Sequence, residues 1–249
     1  MTRVIKIGGA VVDDEVMLST VLDRCAMMDR SFVLVHGGGK IATKLARDLG
    51  VEQTMIDGRR VTDADTLRIV TMVYGGLINK NIVAKLQARS VQCIGLTGAD
   101  ANLIRSHQRT HQTIDYGFVG DVDTVNIDAL TALLGAGFSI VLAPLTHDGN
   151  GQLLNTNADT IASKVAIALA VPLLYVFEHH GVLRSVEDPT SVIPVVHVND
   201  IPMLIADGTI VAGMVPKITN AAEAARAGIN VLIQHVSALG TEEGTLIKC

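Results

Sequence analysis

The chain has 249 residues, 49% hydrophobic and 18% charged. That length lets a folded domain bury about 70% of its extended surface, and the composition excludes a disordered, collagenous or coiled-coil polypeptide. Twenty Lys and Arg against 25 Asp and Glu give a net charge of −5, no basic run exceeds Arg59-Arg60, and Trp is absent, which argues against duplex or single-stranded nucleic acid as a partner. Cys25, Cys93 and Cys249 are far apart without a Cys-x-x-Cys pattern, which points to a reducing, cytoplasmic compartment. The longest strongly apolar run, 165–177, contains Pro172 and is too short to span a bilayer, so a soluble protein without a membrane partner is expected.

In chain order, the first apolar run, 4–7, reads as a buried parallel strand and carries Lys6 among Val4, Ile5 and Ile7, where a lysine wants an anion unless it snorkels at a sheet edge. Gly8-Gly9 follows it. A second strand, 32–35, leads through His36 into Gly37-Gly38-Gly39. Glycines after a strand let backbone N–H groups at a helix start approach a phosphate or carboxylate. One such cluster reads equally well as a tight turn; two within forty residues favour two anionic groups.

Ile41, Leu45 and Leu49 at four-residue spacing predict a helix stopped by Gly50. Thr62 with Asp65 resembles a capping box and predicts a helix start near Asp63. After a strand at 92–96, the polar stretch 97–123 reads as a hairpin excursion with a turn at Asp115-Tyr116-Gly117. Asn126 precedes a helix ending at Gly135 or Gly137, and 139–143 is a further strand. Asn155-Thr156-Asn157-Ala158-Asp159 opens a helix with an Ile161, Val165, Leu169 stripe, where capping alone explains one Asn and the Asp.

Strand 173–177 runs into Glu178-His179-His180-Gly181-Val182. Adjacent histidines without further ligands read as loop residues, and His107, His111, His147, His197 and His235 read as standing apart. Gly213-Met214-Val215-Pro216-Lys217 opens a last helix that stops at Gly228, before a strand at 230–234. Lys217 at a helix N-terminus opposes the helix dipole unless an anion binds there. Strand and helix alternate, which predicts an α/β fold with helices on both faces of an open, mostly parallel sheet and ligands at the carboxyl ends of its strands. No P-loop and no G-x-G-x-x-G after a strand is present.

Five motifs in order, Lys6-Ile7-Gly8-Gly9, Val35-His36-Gly37-Gly38-Gly39, Gly58-Arg59-Arg60-Val61-Thr62, Asn155-Thr156-Asn157-Ala158-Asp159 and Gly213-Met214-Val215-Pro216-Lys217, resemble the amino acid kinase superfamily and, within it, the acetylglutamate kinase family. The resemblance implies a three-layer αβα sandwich, the amino acid kinase fold. A lobe at 1–170 would hold the acylated amino acid and the dimer contact, and one at 171–249 would hold ATP. It implies catalytic roles for Lys6, Asp159 and Lys217, a substrate site of Gly37, Gly38, Arg60, Asn155 and Asn157, and an ATP site of Lys6, Gly8, Gly9, Gly181, Gly213, Met214 and Lys217. Mg²⁺ would ride on the ATP phosphates without protein ligands.

The implied reaction is phosphorylation of the γ-carboxylate of N-acetyl-L-glutamate, the second step of arginine biosynthesis in relatives. Other acyl groups such as succinyl, other acceptors on the same fold, and a ligand sensor without catalysis are the alternatives. A γ-carboxylate with a pKa of about 4.3 is ionised at neutral pH and needs no general base. The barrier is repulsion, about 4 kcal/mol per pair of unit charges 4 Å apart at an effective dielectric of 20. The strand near Arg3 implies a homodimer across the helix near Asp63, without the extra N-terminal helix that joins arginine-inhibited relatives into hexamers. Glu178-His179-His180 departs from the family's usual apolar-[ST]-D-V-x-G-V stretch.

Overall fold

A computed structural model describes residues 2–56, 59–185, 187–211 and 213–249; Gly58 of the third motif lies outside them. Eight strands form the central sheet, in spatial order β12 (Val195–His197), β14 (Thr245–Lys248), β13 (Val231–His235), β11 (Leu173–Phe177), β1 (Val4–Ile7), β2 (Val33–His36), β8 (Ser139–Leu142) and β5 (Cys93–Leu96). Every neighbouring pair is parallel except β13 with β14. All six runs read as strands from the sequence lie in this sheet. β12 and β14 are additions.

Side-chain alternation along the strands builds the other two layers. Val4, Val35, Ile140, Tyr175 and Ile233 face α6 (Ile127–Gly135), α7 (Ala158–Leu169), α8 (Ile201–Ala206) and α9 (Val215–Arg226). Ile5, Ile7, Leu34, Val141 and Val176 face α1 (Gly9–Asp13), α2 (Glu15–Ala26), α3 (Gly39–Asp48), α4 (Ala64–Val70) and α5 (Asn79–Gln87). The architecture is therefore the expected αβα sandwich. Between α4 and α5 the chain continues as a π-helix, Thr71–Ile78. No described helix is long and apolar enough to cross a membrane.

The polar excursion becomes the antiparallel pair β6 (Ile104–Gln108) and β7 (Val119–Val125), closed into a small barrel by β9 (Leu145–His147) and β10 (Leu153–Thr156). Its turn is held by Asp115, whose carboxylate accepts from the Gly117 N–H at 2.8 Å. The Thr62 N–H donates to the Tyr116 carbonyl at 3.0 Å, and the Phe118 N–H donates to the Thr62 carbonyl at 2.7 Å. These bonds clamp the barrel onto the hairpin of β3 (Met55–Ile56) and β4 (Arg59–Arg60).

One local expectation is corrected. Asp63, not Thr62, caps α4 by accepting from the Thr66 N–H at 2.7 Å; Thr62 is fully buried and donates its hydroxyl to the Arg60 carbonyl at 2.8 Å. In α3 the expected helix forms, with Ala42 and Ala46 buried, Ile41 and Leu45 partly buried against the same core, and Leu49 exposed beyond its end. Asn126 caps α6 as expected, and α3 and α9 stop before Gly50 and Gly228.

Candidate active site

Alternation on β1 turns Lys6 to the Val4 face, toward the start of α7. Its Nζ lies 2.6 Å from Asp159 Oδ1, and both side chains are almost fully buried. Asp159 is held there by α7 itself. Asn157 Oδ1 caps the helix, accepting from the N–H groups of Asp159 at 2.8 Å and Thr160 at 3.1 Å, and the Tyr175 hydroxyl donates to the Asp159 carbonyl at 3.1 Å. A carboxylate in the first turn also gains from the helix dipole.

Lys217, brought from the first turn of α9, meets Lys6 at one aromatic ring. Lys217 Nζ lies 4.5 Å and Lys6 Nζ 5.6 Å from the centroid of the buried Phe177, which stacks on Tyr175. Burial and the charge of Lys6 push the Lys217 pKa below the ordinary lysine value, against the pull of Asp159 and Glu178. Two ammonium groups against one buried carboxylate leave a positive charge that an anion would satisfy.

The two glycine turns face each other beside this cluster. The N–H groups of Gly8 and Gly37 are spent on the carbonyls of Val176 and Ile7, at 3.4 and 3.1 Å. What these residues contribute is room: a Cβ on Gly37 would stand 3.0 Å from the Gly9 nitrogen. Gly38, at φ +150°, starts α3 where a Cβ would run into Ile78 and would meet Tyr74. The N–H groups of Gly9 and Gly38 stand at helix starts, beyond the reach of their own helices' carbonyls, and so can bind a ligand's oxygens.

From this floor a cavity of about 440 Å³ opens between the glycine turns, the β3–β4 hairpin and the barrel. Gly37, Gly38, Arg60, Asn155, Asn157 and Asp159 all line it, so the structure brings the expected acceptor residues together with one of the expected catalytic residues. Arg60 is buried, and its guanidinium donates to the Gly39 carbonyl and the Thr43 hydroxyl, each at 2.9 Å, and to Gln53. Asn155 Nδ2 donates to Thr62 Oγ1 at 2.9 Å. Burial pushes the Tyr74 hydroxyl's pKa up, against the adjacent Arg60 charge.

Sequence reasoning missed Arg59, Thr43 and Tyr74 as lining residues. Arg59 belongs to a visible basic pair, but the family resemblance assigns a role only to its neighbour Arg60. Tyr74 is presented by a π-turn that no periodicity announced.

In the second half of the chain the expected residues are more dispersed. Gly181 packs on β14, where a Cβ would come within 2.5 Å of Thr245 Oγ1; Gly213 and Met214 precede α9, with Met214 against the core; none of the three lines the cavity. His235 does not stand apart, because β13 ends beside the loop after β11: its ring stacks on His180 at 4.6 Å and its Nδ1 lies 2.8 Å from Ser237 Oγ. Among the described residues no three His, Cys, Asp or Glu gather to hold a metal.

Comparison with known proteins agrees with this geometry. The family model described as amino acid kinase family matches residues 1–235. The acetylglutamate kinase of Bacteroides fragilis is 52% identical over 98% of this chain and 96% of its own, and that of Methanopyrus kandleri 37% identical over 99% and 100%. The crystal structure of smu.665 from Streptococcus mutans superposes with a TM-score of 0.84 at 32% identity, covering 99% of this chain and 98% of that one. The N-acetylglutamate synthase of Neisseria gonorrhoeae, at 22% identity and a TM-score of 0.85 over 59% of its length, shares the fold. On sequence, fold and site together, the chain belongs to the amino acid kinase family.

Proposed function

We propose that the chain transfers the γ-phosphoryl group of ATP to the γ-carboxylate of N-acetyl-L-glutamate, forming an acyl phosphate and ADP in arginine biosynthesis. One observation carries the reading: two lysines distant in sequence converge on Phe177 beside the cavity, with Asp159 bonded to one of them. The relatives named acetylglutamate kinase over nearly the full chain support the choice of acceptor.

A carboxylate oxygen attacks the γ-phosphorus while the bond from phosphorus to the β–γ bridging oxygen breaks, and no proton moves. Lys6 and Lys217 face the migrating group and offset the charge that accumulates as the two anions approach. Asp159 positions Lys6. The N–H groups of Gly9 and Gly38 bind phosphoryl or carboxylate oxygens. Arg60, Asn155 and Asn157 hold the α-carboxylate side of the acceptor, with Gly37 leaving the room.

ATP lies along residues 171–249, at the Gly181 turn and the start of α9, while residues 1–170 hold the acceptor. Mg²⁺ bound to the ATP phosphates, with no protein side chain as ligand, would supply charge neutralisation there. A homodimer in the cytoplasm forms across α4, the π-helix and the free edge of β5; Met72 and Leu77 are half-exposed on that face.

The test is ADP release measured with N-acetylglutamate, free glutamate and aspartate, with and without Mg²⁺. Turnover of the acylated amino acid and not of the free ones is expected. Turnover of a free amino acid, or none with any acylated glutamate in protein that binds ATP, overturns the assignment.

A further inference from the structure

We infer that Arg59 is a second anion-recognition residue of the acceptor site, which selects an N-acyl group ending in its own carboxylate over a plain acetyl group. The inference rests on the cavity being the N-acylglutamate site, and it comes from a count of charges. N-acetylglutamate carries two carboxylates: the γ group belongs beside Lys6 and Lys217, and the α group beside Arg60. Strand β4 nevertheless delivers two guanidinium groups to the cavity, and the pleat sends adjacent residues to different walls.

Arg60 is anchored on the α3 wall through the Gly39 carbonyl and Thr43. Arg59 stands toward the barrel. There Asp121 is already taken by Arg109, which also lies over the Tyr116 ring at 5.6 Å. Lys40, the other cation in the lining, faces Asp13. Among the described residues, no carboxylate lies within ion-pair distance of Arg59 and its guanidinium makes no hydrogen bond. Partial burial and the Arg109 charge push its pKa down, against the weaker pull of Asp121, Tyr116 and Asp159.

A half-buried guanidinium without an acceptor weakens the empty site and rewards an anion that reaches it. Acetyl offers a methyl group at that position. An acyl chain of four carbons, such as succinyl, ends in a carboxylate at the length of a short side chain. The transfer itself is unchanged, since only the remote end of the acceptor differs.

The experiment compares N-succinyl-L-glutamate with N-acetyl-L-glutamate by ADP release and, separately, by binding calorimetry, in the parent protein and in Arg59→Leu and Arg59→Lys. The parent is expected to favour the succinyl compound by at least about tenfold in kcat/KM and in affinity, the size of one charge-assisted hydrogen-bonded pair. That ratio should collapse toward one in Arg59→Leu and be partly restored in Arg59→Lys. A ratio of one or less in the parent, or an equal loss for both acceptors in Arg59→Leu, overturns the inference, the latter by assigning Arg59 to the shared α-carboxylate. A tenfold binding preference without ADP release would support the role of Arg59 and sink the kinase reading instead.

Discussion

At the scale of single residues, the site concentrates charge that the surrounding core would otherwise reject. Replacing Lys217 by Ala removes one of the two cations proposed to face the migrating group while relieving its repulsion with Lys6, so kcat should fall by about 10²- to 10⁴-fold with the thermal midpoint moving only a few degrees. Near-normal turnover in that variant would refute the role. His36 makes a separate prediction about stability. Its ring is fully buried, with Nδ1 2.8 Å from the Gly37 carbonyl and Nε2 3.4 Å from Asn79 Nδ2, and burial lowers its pKa to about 4. Between that value and an unfolded value of about 6.5 only the unfolded chain binds the proton, so stability is full above about pH 6.5 and declines as pH falls toward 4. The loss amounts to about 3 kcal/mol. Urea midpoints from pH 7 to 4 should show the decline, and a His36→Asn variant should flatten it; an equally steep decline in that variant would assign the effect elsewhere.

At the scale of elements, α7 couples folding to chemistry, because one asparagine side chain both starts the helix and fixes the backbone of Asp159. Asn157→Ala should cost about 1 kcal/mol in denaturant stability and also lower kcat, and Asn157→Ser should recover most of the stability; an unchanged midpoint in the Ala variant would show that the cap carries no weight. The same helix shows how far sequence reading reaches. Its start, its apolar stripe and the acid in its first turn were all visible, as were the six sheet strands written as runs of Val, Ile and Leu. The barrel strands were harder because some of their buried residues are polar: Thr146 and Thr156 bond each other at 2.8 Å, and such residues interrupt the hydrophobic period. β14, Thr245–Lys248, alternates over too few residues to register, and the Gly75-Gly76 pair hid the π-helix that carries Tyr74. At the site, Lys6 and Lys217 were legible because each breaks a local rule, whereas Asp159 suits its helix start and was singled out only by the family resemblance. Arg59 was not, because nothing local distinguishes it from its neighbour.

At the scale of the whole molecule, the unpaired edge of β5 and the half-exposed Met72 and Leu77 mark the face through which copies should associate. Light scattering should report a dimer for the parent and a monomer for Met72→Glu combined with Leu77→Glu; a monomeric parent or a dimeric variant would reject that face. The sheet itself runs without a break from β12 to β5, so the two halves proposed to hold acceptor and ATP share one backbone plate. β1 lies at its middle, with Lys6 opposite Tyr175 of β11 on one side and Val35 of β2 on the other. The lysine proposed to face the reacting atoms is therefore laced by main-chain bonds into both flanks at once. If the flanks rock to grip and release their ligands, Lys6 sits at the fulcrum, where displacement is smallest, and the swing falls to the loops at the rim. Such a machine can open wide for exchange without misplacing the charge on which its chemistry turns.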